Sequence, residues 1–189
     1  MGTVVTLAGQ VGAAKLADGL YRLRGKDLAV IVNTGDDYEH LGLAFSPDID
    51  TVLYTLAGIA SANAGWEPEE ETRAVQKMLR MLGGGDQPAV GDRALAAPLL
   101  RSHGLINDRR LTEITLDFCR ELGIGARVLP MSDERVRTNV ITDDGAVSFM
   151  EYFQELGCEP PVRGFQYAGV EDARVRSEER RRERVCMFV

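Results

Sequence analysis

The sequence predicts an α/β fold, and three observations carry that expectation. Thr3-Val-Val-Thr-Leu7 reads as a strand that runs through a glycine-bearing turn into the helical pattern Leu16, Gly19, Leu20, Leu23. Leu28-Ala-Val-Ile-Val32 is a short, unbroken, branched apolar run, as a parallel strand covered on both faces requires. Val136 to Thr142 and Ala146 to Phe153, joined by Asp143-Asp144-Gly145, carry the clearest hairpin signal in the chain. Together they describe a Rossmann-like, mostly parallel sheet flanked by helices, with a small antiparallel hairpin.

In chain order, a βα unit spans about residues 3 to 24 and the second strand residues 28 to 32, where Asn33-Thr34-Gly35 breaks it. An acidic loop follows. The spacing of Val52, Leu53, Leu56 and Ile59 then predicts a helix from about Asp50 to Ser61, with Asp50 as a candidate cap. Glu69 to Leu82 is amphipathic and leaves its helix at Gly83-Gly-Gly85. Leu95 to Ser102 and Leu111 to Leu122 are further predicted helices, the second ending at Gly123 before a strand over Ala126 to Leu129. The Met, Leu and Val positions of these helices read as core. No internal repeat or low-complexity linker interrupts the chain.

The acidic loop is the candidate site. Asp36, Asp37, Asp48 and Asp50 fall at or beyond the carboxyl end of a parallel strand, where open α/β sheets bind ligands. Each aspartate alone suits a turn or a cap, whereas four together suit a hard cation. The first strand also ends in Ala8-Gly9-Gln10-Val11-Gly12-Ala13-Ala14-Lys15. Gly9 and Gly12 permit a tight turn whose backbone N–H groups, at a helix N-terminus, can hold phosphate oxygens, and Lys15 adds a charge. The glycine spacing is neither the dinucleotide fingerprint nor a Walker loop. The two strand ends together suggest a phosphate facing a metal.

Several blocks resemble a known family. They are Leu7 to Lys15, Val32-Asn-Thr-Gly-Asp-Asp37, Ser46-Pro-Asp-Ile-Asp-Thr-Val-Leu-Tyr54, Gly91-Asp-Arg93, Leu129-Pro-Met-Ser-Asp133 and Pro161-Val-Arg-Gly164. In this order, across about residues 3 to 175, they look like the 2-phospho-L-lactate transferase family. The resemblance implies a cytoplasmic enzyme of deazaflavin coenzyme biosynthesis. Such an enzyme moves a phospholactyl or phosphoenolpyruvyl group from a guanosine diphosphate-linked donor to a deazaflavin acceptor, releasing GMP with Mg2+ present. It further implies Asp50 and Arg93 against the deazaflavin, Met131 and Ser132 lining that pocket, and Gly9 and Gly12 facing the donor phosphates. Because phosphoryl chemistry of this kind needs a magnesium held by carboxylates, Asp48 and Asp50 are the first catalytic and metal candidates, and Asp36 and Asp37 the next. Ser132-Asp133-Glu134 also reads as an ordinary turn or helix start, which leaves Asp133 a lesser candidate.

The chain departs from the family in places. Gln10 stands where the family carries a second glycine, Ala94-Leu-Ala-Ala-Pro98 replaces a polar stretch after Arg93, Glu67-Pro68 follows Gly65-Trp66, and Ser148-Phe-Met-Glu-Tyr-Phe153 lacks a usual His and Gln. Residues 1–175 therefore read as the N-terminal part of a transferase-like α/β domain, and 176–189 as a charged tail unlike the family. That ending reads as an interrupted reading frame, with an incomplete domain, little or no transfer activity beside weak magnesium or deazaflavin binding, and self-association as the expected consequences. Two other readings stand beside the transferase: a nucleotide-sugar-binding regulatory protein of a related family, which shares a Gly-rich first turn and an Asp-Asp strand end, and a noncatalytic remnant that acts as an interaction protein.

Composition bounds these readings. At 189 residues with 44% hydrophobic content, the chain can bury one sizeable core. A net charge of −7 disfavours nonspecific nucleic-acid binding, and the one basic run is the interleaved Arg180-Arg-Arg-Glu-Arg184. Cys119, Cys158 and Cys186 are widely separated and lack metal-ligand spacing, so reduced cytosolic thiols are expected, and His40 and His103 are too few for a His-rich metal site. No segment has the length of a membrane span, and the N-terminal apolar run lacks a basic leader, so a cytoplasmic location without membrane partners is expected.

Overall fold

The structure, a computed structural model, describes residues 2–84, 90–174 and the backbone of 184–185. Its centre is a parallel sheet in the order β5-β2-β1-β9, built from β1 (Val4–Ala8), β2 (Leu28–Val32), β5 (Arg127–Pro130) and the two-residue β9 (Arg184–Val185). β2 is almost wholly buried, as its unbroken apolar run requires of a strand covered on both faces. The helices α1 (Gln10–Arg24), α2 (Pro47–Leu56) and α5 (Leu111–Glu121) pack around it. The core joins Ala14 and Ala17 of α1, Leu28, Val30 and Val32 of β2, Ile49, Val52 and Leu53 of α2, and Val128 of β5. Full burial of each Val, Leu or Ile contributes about 1.5–3 kcal/mol. Ala14 and Ala17, with no exposed surface, let α1 lie close against the sheet.

The strand register positions the site. Ala8, Val32 and Pro130 are in register across the three strands, and the ladder continues one step further. Asn33 N–H donates to Ala8 C=O at 2.9 Å and Met131 N–H to Val32 C=O at 2.8 Å. The segments after β1, β2 and β5 therefore leave from one carboxyl edge, as parallel strands demand.

Between β2 and α2 the acidic segment folds into a small hairpin, β3 (Tyr38–His40) with β4 (Leu43–Phe45). Leu41 and Gly42 both have positive φ, which suits a two-residue turn between right-twisted strands. The antiparallel sheet has three strands in the order β7-β6-β8: β6 (Arg137–Thr142), β7 (Gly145–Ser148) and β8 (Gly164–Ala168).

Several predicted boundaries move. α2 starts at Pro47, not Asp50, because proline at the first helical position sacrifices no hydrogen bond; Asp50 thus lies inside the first turn and does not cap it. α3 (Ala74–Met81) starts later than the predicted Glu69, since Glu69 N–H donates to Ile59 C=O and Pro68 bridges Ala60. α4 (Ala96–Ile106) runs past the predicted Ser102 and through Gly104, where an added Cβ would stand 2.7 Å from Ile114. The second hairpin arm ends at Ser148, not Phe153. Ser148 Oγ accepts the Glu151 N–H at 3.1 Å, and a π-helical turn follows over Glu151–Glu155. The predicted exit at Gly85 and the tail, apart from the backbone of 184–185, lie outside the described residues.

Candidate active site

The site is organised by Asn33, the first residue past β2. Its Nδ2 donates to Asp48 Oδ2 at 2.8 Å and to Asp36 Oδ2 at 3.1 Å, while its Oδ1 accepts the Gly35 N–H at 3.0 Å. One amide thereby converges two carboxylates from different elements. Asp48 Oδ1 also accepts the Gln10 N–H at 2.7 Å, which ties α2 to the first turn of α1. Gly9 lies against this junction: a Cβ there would stand 3.3 Å from Asp48 Oδ2. Burial pushes the Asp48 carboxyl above its ordinary range, and burial together with the Asp48 charge does the same to Asp36. In the sequence Asn33 stands out only as part of a break and of the block Val32 to Asp37; the signal of its role is its position immediately after a buried parallel strand.

Asp37 and Asp50 join a buried polar cluster, Asp50 at the cavity wall and Asp37 behind it. Arg101 of α4, 1% exposed, pairs through Nη2 with Asp50 Oδ1 and donates from Nη1 to Asp50 Oδ2 at 3.3 Å and to Ala44 C=O at 3.2 Å. Ser46 Oγ donates to Asp37 Oδ2 at 2.8 Å. Burial pushes Asp37 up to about 7, against the pull of the Ser46 hydroxyl and of Arg101 and Arg137. Burial also raises Asp50, opposed by Arg101. Sequence reading missed Arg101. The available signal was a lone arginine in the otherwise weakly charged run Ala96-Ala-Pro-Leu-Leu-Arg-Ser-His-Gly-Leu-Ile106.

Asp36, Asp48 and Asp50 share the wall of a cavity of about 380 Å³ with Tyr38, Phe45, Trp66, Phe149 and Phe153. Tyr38 and Phe45 stack at 4.8 Å across the β3–β4 pair, and Phe149 and Phe153 stack at 6.1 Å. The cavity thus has flat aromatic walls and an acidic end. A second, larger cavity of about 920 Å³ lies among α2, α4 and α5, and Tyr54 lines both. Arg93 belongs to the larger one, where it donates to Glu69 C=O at 2.9 Å and Glu70 Oε2 at 2.8 Å.

The remaining predicted residues scatter along the edge. Gly12 and Lys15 sit within α1 rather than in a loop, and both are exposed. Met131 is exposed, and Ser132 is buried with its Oγ donating to Glu134 Oε2 at 2.6 Å; neither lines the aromatic cavity. Asp133 Oδ1 accepts the Thr112 N–H at 2.7 Å in the first turn of α5, an anchoring role. Among the described residues no three His, Cys, Asp or Glu side chains form a ready metal cage, and no helix is long and apolar enough to cross a membrane.

Comparison with known proteins places this architecture. Residues 4–180 match the family described as 2-phospho-L-lactate transferase CofD. The chain is similar to the 2-phospho-L-lactate transferase of Methanopyrus kandleri, 43% identical over 175 residues that cover 90% of this chain and 55% of that protein. It is also similar to the phosphoenolpyruvate transferase of Streptomyces avermitilis, 37% identical over 177 residues that cover 90% and 56%. The chain spans about half the length of the curated relatives it matches. A UPF0052 family protein from Bacillus halodurans shares the fold, with a TM-score of 0.56 at 17% identity over 95% of this chain and 55% of that one. With a family match across nearly its whole length, the chain belongs to the 2-phospho-L-lactate transferase CofD family.

Proposed function

We propose that this chain contributes the acceptor and phosphate-facing half of an enzyme that transfers a phospholactyl or phosphoenolpyruvyl group from a guanosine diphosphate-linked donor to a deazaflavin, releasing GMP. The observation that carries this reading is the shared Asn33 amide. It gathers Asp36 and Asp48 beside the first turn of α1, at the acidic end of an aromatic cavity. Two carboxylates with free lone pairs suit a Mg2+ that keeps waters and takes its other ligands from substrate phosphates, and such an ion would draw charge off the diphosphate oxygens.

In this reading the flat walls formed by Tyr38, Phe45, Phe149 and Phe153 take the deazaflavin rings. Asp50, oriented by Arg101, accepts a hydrogen bond from the acceptor, and Gly9 with the backbone N–H groups that follow Gln10 in the first turn of α1 faces the diphosphate. The acceptor hydroxyl oxygen attacks the phosphorus bearing the lactyl or enolpyruvyl unit. A new O–P bond forms there, and the P–O bond to GMP breaks with its electron pair leaving on GMP. The hydroxyl proton passes to a carboxylate at the acidic end, with Asp48 and Asp50 the candidates.

The test is GMP release from the donor by the protein with and without the deazaflavin acceptor and Mg2+. Release that requires all three components is expected, far slower than that of a full-length transferase, because the chain spans about half the length of such relatives. Binding of UDP-sugars with no response to deazaflavin would replace this reading with that of a regulatory binding protein.

A further inference from the structure

Arg101 lines neither cavity, yet it is the largest wholly buried side chain among the described residues. Its fork meets both oxygens of Asp50, and its Nη1 also meets Ala44 C=O. The next residue completes the grip: Ser102 Oγ accepts the Ala44 N–H at 2.7 Å and donates to Pro98 C=O at 2.6 Å. Both polar groups of one β4 residue are thus held by one dipeptide of α4, which fixes the guanidinium relative to the hairpin that carries Tyr38 and Phe45. A planar guanidinium that touches both carboxylate oxygens sets the plane of that carboxylate, whereas an ammonium cannot.

We infer that Arg101 is a positioning residue: it fixes the orientation in which Asp50 faces the aromatic cavity, and so sets acceptor affinity without touching the acceptor. This rests on the deazaflavin reading of the cavity given above, and it adds a residue that the motifs did not point to. Trp66, the one tryptophan of the chain, lines the same cavity and reports its occupancy by fluorescence.

The experiment measures quenching of Trp66 by a deazaflavin in the wild type, Arg101→Lys, Ser102→Ala, Asp50→Asn and the double variant Arg101→Met with Asp50→Asn, each with a thermal melt. Arg101→Lys keeps the charge and loses the fork, and its Kd is expected to rise roughly tenfold. Ser102→Ala loosens the α4–β4 grip but leaves the Arg101–Asp50 fork, so it is expected to melt earlier with a Kd that rises clearly less than that of Arg101→Lys. An unchanged Kd in Arg101→Lys, or an equal loss in both variants, overturns the assignment and leaves Arg101 as an anchor of α4.

Removal of one partner of a buried ion pair is strongly destabilising. If Arg101→Lys does not fold, the double variant decides: it is expected to bind as Asp50→Asn does, and a further loss overturns the inference. A wild type that deazaflavin does not quench refutes the function proposed above. In that event a crystal structure of Arg101→Lys decides the positioning role by itself, since an unchanged Asp50 side-chain orientation overturns it and a rotated one supports it.

Discussion

The Gln10 N–H donates to Asp48 Oδ1 at 2.7 Å, so the residue with the least favourable backbone in α1 is held by an aspartate in the first turn of α2. Gln10 has φ of 56°, a left-handed conformation that a side chain disfavours. It occupies the place where the family resemblance leads one to expect glycine. The turn has kept its geometry and accepted the strain.

Gln10→Gly is therefore expected to stabilise the protein by about 1 kcal/mol, because glycine adopts positive φ without a Cβ clash while the bond to Asp48 uses only the backbone. Gln10→Val is expected to destabilise it by at least as much. Urea denaturation with unchanged slopes measures both. A glycine variant no more stable than the wild type would show that the side chain contributes something the strain argument omits.

Asp50 and Asp133 are expected to separate in acceptor affinity. Asp50→Asn removes the charged partner of buried Arg101, so it should lower stability as well as reduce acceptor affinity about ten- to a hundredfold. Asp133→Ala removes the acceptor for Thr112 N–H and should cost about 1 kcal/mol of stability at unchanged acceptor affinity. Trp66 quenching and thermal melts read the two effects independently. An Asp133→Ala variant that folds normally and binds poorly contradicts the division.

Stability is expected to fall as pH rises through the range set by Asp37. Burial raises this carboxyl from 3.8 to about 7, so between those values the folded state binds more protons than the unfolded one. The contribution is complete below about pH 4 and lost by about pH 7, with an upper bound of about 4 kcal/mol for a shift of this size. Asp37→Asn should flatten this part of the profile. Chemical denaturation from pH 4 to pH 8 on both proteins tests it, and parallel curves would refute it.

The thiols should differ in reactivity. Burial pushes Cys119 up to about 11, whereas Cys158 is exposed. At pH 8 the buried thiol is then thiolate at only about one part in a thousand, and its labelling should rise with pH while remaining far slower than that of Cys158. Peptide mass spectrometry after timed alkylation measures both rates. Equal labelling of the two would mean that the face of α5 carrying Cys119 opens readily.

β1, β2 and β5 were legible in the sequence, β2 best because a strand buried on both faces must be apolar throughout and Leu28–Val32 meets that condition without a break; β9, within the stretch read as a charged tail, was not. Local chemistry also located α5 and the Asp143-Asp144-Gly145 turn. It misplaced the start of α2, since Asp50 has the chemistry of a cap and only the packed fold shows it facing Arg101. β8 went unread: Phe165 and Tyr167 are exposed, so its pairing with β6 supplied the strand where burial did not.

By itself the sequence determined which residues could form a site: four aspartates beyond one strand and a glycine turn beyond another, brought to one edge by parallel register. Tertiary structure divided them. Asn33 draws Asp36 and Asp48 together, whereas Ser46 holds Asp37 inside the protein and Arg101 holds Asp50 at the cavity wall. The physical reason is partner distance along the chain. Asp50 and Arg101 are 51 residues apart, and a carboxylate's direction is set by the donor nearest it in space, which no local pattern specifies.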